Sequence, residues 1–194
     1  MRWEHLFDDL ETQLEQELSA EELDLEAEEE RLRLGRLGLR DRLHSLCREG
    51  GAALRIGLTL TGGGRLAVHP VALGRDWFSG DVIAGQAHPR QCVVPFAAIV
   101  TVALEPEDVP ASLTGPGAAF LSDRLGLAFV LRDLCRRRRA LDLVLTSGEV
   151  HGTIDRVGRD HVDLAVHERG VPRRPSAVRE VRMVPFAALQ YVRF

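Results

Sequence analysis

Apolar residues in the first part of the chain fall at Trp3, Leu6, Phe7, Leu10, Leu14 and Leu18. Steps of three and four put them on one face of a helix, because 3.6 residues complete a turn. "SAEE" follows. There the Ser19 side chain can accept from the N–H of Glu22 while Glu22 accepts from the N–H of Ser19, the arrangement of a capping box. The pattern predicts that a second helix starts there and runs through "EEERLRLGRLGLRDRLHSLC" to Gly50-Gly51, since glycine ends helices in the left-handed conformation. Beyond position 54 the period changes to two. "LRIGLTLTGGG" (54 to 64) presents Ile56, Leu58 and Leu60 on one face, and "LDLVLTSGE" (141 to 149) presents Leu141, Leu143 and Leu145. Such alternation, closed by a glycine turn, predicts strands.

These two strands belong to a longer repetition. "RLGLRDRLHSLCR" (36 to 48) matches "RLGLAFVLRDLCR" (124 to 136), "LGRDWFSGDV" (73 to 82) matches "VGRDHVDLAV" (157 to 166), and "VVPFAAIVTV" (93 to 102) matches "MVPFAALQYV" (183 to 192). A series in the same order twice reads as a tandem duplication. The chain therefore divides into an acidic helical arm (1–35), a first repeat (36–104), a Pro/Gly-bearing linker and helix lead-in (105–123) and a second repeat (124–194). Each repeat is a helix followed by short strands with turn signals. That predicts an α+β chain with two small antiparallel β-barrels, since closing a bent sheet removes its exposed edges. A shared seam formed by the "VPFAA" strands is expected, because two small barrels together bury faces that one would leave open.

The second repeat, with "TSGEVHGTIDRVGRDHVDLAV" and a closing "VRMVPFAALQYV", resembles the Sm/LSm-like fold, and the first repeat does so less closely. Similar tandem arrangements occur in actinobacterial proteins. The resemblance implies small barrels, assembly into rings by pairing of edge strands and, for many members, single-stranded RNA held by loop residues. No RNA-reading residue carries over. Asp163 follows the Asp160 turn where many Sm proteins present Asn, and "CVVPFAA" and "VRMVPFAA" stand where a basic, glycine-bearing signature is usual.

Charge sharpens this organisation. Residues 1–34 carry 13 acidic residues against 3 arginines, a net −10; residues 35–116 carry 7 against 8, or +1; residues 117–194 carry 9 against 14, or +5. Every basic residue but histidine is arginine. The basic side of the second repeat consists of Arg132, the run Arg136, Arg137, Arg138 and Arg139, then Arg156, Arg159, Arg173 and Arg174. These are the candidates for phosphate contact or for an acidic partner, the acidic arm included. Few aromatics accompany them, whereas single-strand platforms combine charge with stacking. Trp3, Leu6, Phe7, Leu10 and Leu14 are the candidate interface of the arm.

No catalytic constellation emerges. His151, His161 and His167 lie near Asp155, Asp160 and Asp163 in sequence, but at spacings that match no metal site and on alternating strand positions. Cys47, Cys92 and Cys135 form no C-x-x-C pair, which points to buried thiols in a reducing cytoplasm rather than to disulfides or zinc. "TGGGR" (61 to 65) is too short for a phosphate loop and reads as a hairpin turn. The acidic start "MRWEHLFDDLE" lacks the basic flank and apolar run of a signal peptide, and nowhere do about 18 apolar residues follow one another, so neither export by that route nor a membrane span is expected. The expectation is a cytoplasmic, non-enzymatic interaction or assembly protein without cofactor or metal, partnered by protein or by itself and not by membrane. The alternative is an RNA- or DNA-binding regulator that uses the Arg-rich second repeat.

Overall fold

Leu, Glu, Gln, Ala and Arg, all good helix formers, make up most of residues 4–34. The computed structural model describes residues 4–49, 51, 54–83, 90–115, 117 and 121–194, without the side chains of 4–13, 15–18, 20 and 121. It divides into two compact units, Met1–Leu39 and Arg40–Phe194. In the first, α1 (Glu4–Gly35) is one helix of 32 residues. It does not restart at Ser19, as the capping-box pattern predicts. Serine inside a helix costs only a few tenths of a kcal/mol among strong helix formers, so Ser19 is carried through and Gly35 is where the helix stops. Glu28–Arg31 (3.5 Å) and Glu30–Arg33 (2.6 Å) pair along its surface. Of the expected apolar face, Trp3 and the side chains of Leu6, Phe7 and Leu10 lie outside the described residues, and Leu14 is exposed, as are Leu23, Leu25 and Leu32. Among the described residues no helix is long and apolar enough to cross a membrane.

The second unit is α+β. It holds α2 (Leu39–Glu49, apart from its first residue), then β1 (Ile56–Leu60), β2 (Arg65–Leu73), β3 (Trp77–Val82), β4 (Arg90–Pro95) and β5 (Ile99–Ala103). After the short α3 (Val109–Ser112) come α4 (Leu127–Arg136), β6 (Ala140–Leu145), β7 (Gly148–Val157), β8 (His161–Val166), β9 (Glu180–Pro185) and β10 (Leu189–Arg193). All ten strands form one antiparallel sheet in the order β5-β1-β2-β3-β4-β10-β6-β7-β8-β9. Each half has the same internal order: last strand, first, second, third, fourth.

The registers repeat as well. Gly57 faces Ala103 as Asp142 faces Arg193, and Trp77 faces Pro95 as His161 faces Pro185. Both second strands carry an irregularity at matching places, Pro70/Ala72 and Ile154/Arg156. The duplication read from sequence is thus a duplication of strand pairing. What differs from expectation is closure. The strands form one open sheet rather than two closed barrels, because β4 of the first half is taken by β10 of the second. Those two strands flank the two "VPFAA" segments, where the sequence pattern puts the seam.

Each half keeps its own core. Leu43 and Leu46 of α2 pack with Ile56, Leu58, Leu60 and Phe78, whereas Leu127, Leu131 and Leu134 of α4 pack with Leu141, Leu143, Ile154 and Leu164. Described residues of the segment between the halves bond to α2. Arg42 donates to Ser112 Oγ (2.8 Å), and Ser45 Oγ donates to the Gly115 carbonyl (2.9 Å).

The "GRD" turns explain their glycines. In both halves the glycine N–H donates to the carbonyl three residues on, Gly74 to Trp77 and Gly158 to His161, each at 2.8 Å. The ring of that third residue then lies over the glycine. A Cβ on Gly74 would sit 2.2 Å from Trp77 Nε1 and 2.6 Å from the Leu125 carbonyl oxygen; one on Gly158 would sit 2.4 Å from His161 Cε1. Trp77 is held in place by donating to that carbonyl (2.9 Å), whereas His161 is partly exposed and can turn away. Gly74→Ala should therefore cost about 2 kcal/mol through overpacking, and Gly158→Ala clearly less. Urea unfolding of the two variants checks this, and equal midpoints would mean that the tryptophan is not the obstacle.

Candidate assembly interface

The inner seam is short. Val192 faces Val93 and Arg193 faces Cys92, with reciprocal backbone bonds between Gln91 and Phe194 (3.2 and 3.0 Å). Side chains cross it in both directions. Trp77 and Val93 of the first half join the core of the second, and Tyr191 of the second packs against the core of the first. The Leu127 N–H at the start of α4 donates to Asp76 Oδ1 (2.7 Å) in the first half, so a carboxylate from the other repeat satisfies a free helix N-terminus. Gln190 donates to the Thr61 carbonyl in the β1–β2 hairpin.

A charged network sits beside this seam. Asp142 on β6 is buried at 3% exposure, and its carboxylate accepts from His151 Nδ1 (2.7 Å), Arg169 (2.9 Å) and Arg193 (2.9 Å), while Arg90 of β4 approaches to 3.6 Å. Glu149 accepts from the same Arg193 nitrogen (2.7 Å) and also pairs with Arg169. Burial by itself raises the pKa of Asp142, but the hydrogen bonds from Arg169, His151 and Arg193 outweigh it, so the carboxyl is held below its ordinary value. Behind it the His167 ring stands edge-on to His151 (5.3 Å), with its Nδ1–H donating to the Glu168 carbonyl and its Nε2 accepting from Thr153 Oγ1 (2.9 Å).

The outer edges carry the same motifs uncovered. Val93 at the inner seam is 2% exposed, whereas Met183, its counterpart on β9, is 77% exposed. Gln190 of β10 is 6% exposed, whereas its counterpart Val100 on β5 is 59% exposed. Val181 on β9 is exposed too. Edge strands present unpaired N–H and C=O groups, and proteins usually blunt them with charge or cover. Here the edges present apolar side chains as well.

The arginines expected to form a basic face are mostly engaged nearby. Arg136 and Arg137 both bond Asp133 (3.3 and 2.6 Å), Arg156 lies 3.8 Å from Asp163, and Arg173 grips Asp155 with two bonds (3.0 and 2.6 Å). Arg138 turns the chain at a φ of 47°, and Arg139 lies over the Phe194 ring at 4.8 Å. Arg132, Arg159 and Arg174 are exposed. Of the histidines and aspartates weighed for a metal, His151 and His167 come together beside Asp142 while His161 stands apart, and among the described residues no group of three His, Cys, Asp or Glu could hold an ion. His161 contacts Asp160 (2.9 Å), His151 contacts Asp142 and His167 contacts Thr153. Sequence reasoning missed Asp142, Glu149, Arg169, Arg193 and Arg90. The signal was there: Asp142 interrupts the apolar run "ALDLVL" at the position where the first repeat has Gly57.

Comparison of the chain with protein-family models, curated proteins and solved structures found no match.

Asp142→Asn should lower stability by about 2 kcal/mol at pH 7, because it removes the charged acceptor shared by His151, Arg169 and Arg193 and leaves Glu149 as the acidic partner of the two arginines. A native pKa below the unfolded value gives stability that is full above about pH 4 and is lost as pH falls through the native pKa. The difference between wild type and Asp142→Asn should therefore narrow below about pH 4 in urea titrations; a gap that stays constant would place the carboxylate outside the network. The thiols give a second check. Burial pushes Cys47 and Cys92 up to about 12, so both should resist a thiol reagent at pH 8 until denaturant is added.

Proposed function

We propose that this chain is a non-enzymatic assembly protein whose two Sm-like halves pair head to tail, once within the chain and again between chains. One observation carries the reading: the same motif is buried at Val93, where a last strand covers the fourth, and is bare at Met183, where none does. Among the described residues of each copy, one fourth strand, β9, and one last strand, β5, have no further strand beside them. β5 of a second copy fits the β9 edge because β10 already makes that contact with β4 in the same antiparallel sense. The Sm-like resemblance points the same way, since it implies assembly through edge strands. The body is then a scaffold, and the acidic α1 is the element that engages a further protein.

Sedimentation velocity over a range of concentrations tests this. Wild type should form closed oligomers of the full chain, and Met183→Asp should shift them to monomer with unchanged circular dichroism, because burying a methionine contributes about 1.5–3 kcal/mol that a carboxylate forfeits. A monodisperse monomer at all concentrations would overturn the reading. Steeply salt-dependent binding of labelled single-stranded RNA, lost when Arg136, Arg137, Arg138 and Arg139 are all changed to Gln, would instead assign the protein to nucleic-acid regulation.

A further inference from the structure

The two seams share a backbone geometry but not a charge pattern. At the inner seam Arg90, five residues before the Pro95 that ends β4, lies 3.6 Å from Asp142. Asp142 in turn shares Arg169 and Arg193 with Glu149. At the outer seam every position in this set changes. The strand pairings place Glu180 on β9 where Arg90 stands on β4, since Val166 faces Glu180 as Val82 faces Arg90. On the receiving half, Gly57, Ala67, Ala103 and Arg65 stand where Asp142, His151, Arg193 and Glu149 stand in the other.

We infer that the outer seam is keyed by a reversed ion pair, Glu180 of one copy with Arg65 of the next, an inference that rests on the head-to-tail reading above. Both groups are exposed in the single chain. Arg65 is in no ion pair among the described residues, and Glu180 is held only by its neighbour Arg182 on the same strand (2.6 Å). The small residues supply the space. A groove of about 560 Å³ is lined by Gly57, Leu58, Arg65, Ala67 and Ala103, at the place where the other half is filled by the Asp142 network. An incoming β9 edge brings Glu180 to this groove by the same geometry that brings Arg90 to Asp142.

The reversal also excludes the wrong pairings. Glu180 set against Asp142 and Glu149 meets like charge, and so does Arg90 set against Arg65. The last strand of one half cannot trade places with that of the other, so β4 is matched to β10 and β9 to β5. Juxtaposed like charges are the usual means of discriminating between similar partners.

Charge swaps on the full chain, followed by sedimentation velocity at low and high salt, test the pair. Glu180→Arg and Arg65→Glu alone should each weaken association about tenfold at low salt, as expected for like charges brought together. The double variant Glu180→Arg with Arg65→Glu should recover to within about threefold of wild type, because the pair is restored in the opposite sense. A double variant as weak as the singles, or singles equal to wild type while Met183→Asp still dissociates the oligomer, would refute the key and leave head-to-tail assembly standing. A wild type that does not associate would remove both.

Discussion

A strand at the edge of a sheet must satisfy its outward N–H and C=O groups with water, with another strand or with cover, and the pairing of β4 with β10 is how this chain settles the matter once. That pairing makes two five-stranded halves into one sheet. It brings Trp77 and Val93 into the core of the second half and Tyr191 against the core of the first. It also sets the position of Asp142 within reach of Arg90. A constraint of number follows. Two units with one fourth strand and one last strand each, joined by one pairing, leave one of each kind uncovered, and these are complementary by construction.

The same contact has different energetics in its two settings. Inside the chain the halves are tethered, so the seam does not lose the translational and rotational freedom that association costs, about 4–15 kcal/mol on published scales. Few residues then suffice, which fits a pairing of two facing residue pairs bordered by reciprocal backbone bonds. In the proposed pairing between chains the cost would apply in full. Burial of Met183 together with Val181 and Val100, exposed in the single chain, would contribute a few kcal/mol at about 1.5–3 per large apolar side chain. An open end is therefore marginal by itself, whereas a closed ring, in which every edge is covered, is cooperative.

Much of this was legible in the residues. The duplication showed in "VPFAA" and "GRD" and in the matched helices, because a repeated fold needs the same apolar positions and the same tight turns. The strands showed by alternation, as Ile56, Leu58 and Leu60 did. The helix boundary at Ser19 was misread because a capping box is a local pattern, and the helix-forming run on both sides outweighed it. The open sheet was not legible, since closure depends on which strand reaches an edge first and not on any one strand's pattern. The arginines were visible as a charge run, but their partners Asp133, Asp155 and Asp163 were assigned only by the pairing of strands and the turn of α4. Asp142 escaped notice because its partners lie on β4, β7, β10 and the loop after β8, at separations that no spacing rule connects.

That network has a structural logic of its own. A seam with two facing residue pairs is poor in register information, and apolar side chains such as Val93 and Val192 tolerate a slip better than charges do. Buried ion pairs add little net stability, but they are demanding about geometry. A one-residue slip of β4 on β10 would turn Arg90 to the opposite face of the sheet, and a two-residue slip would carry it about 7 Å along the strand. Either would take Arg90, the cation that the first half brings to Asp142, out of reach of the carboxylate. The carboxylate thus favours the register that keeps Arg90 beside it, a preference that the valines of the seam do not supply.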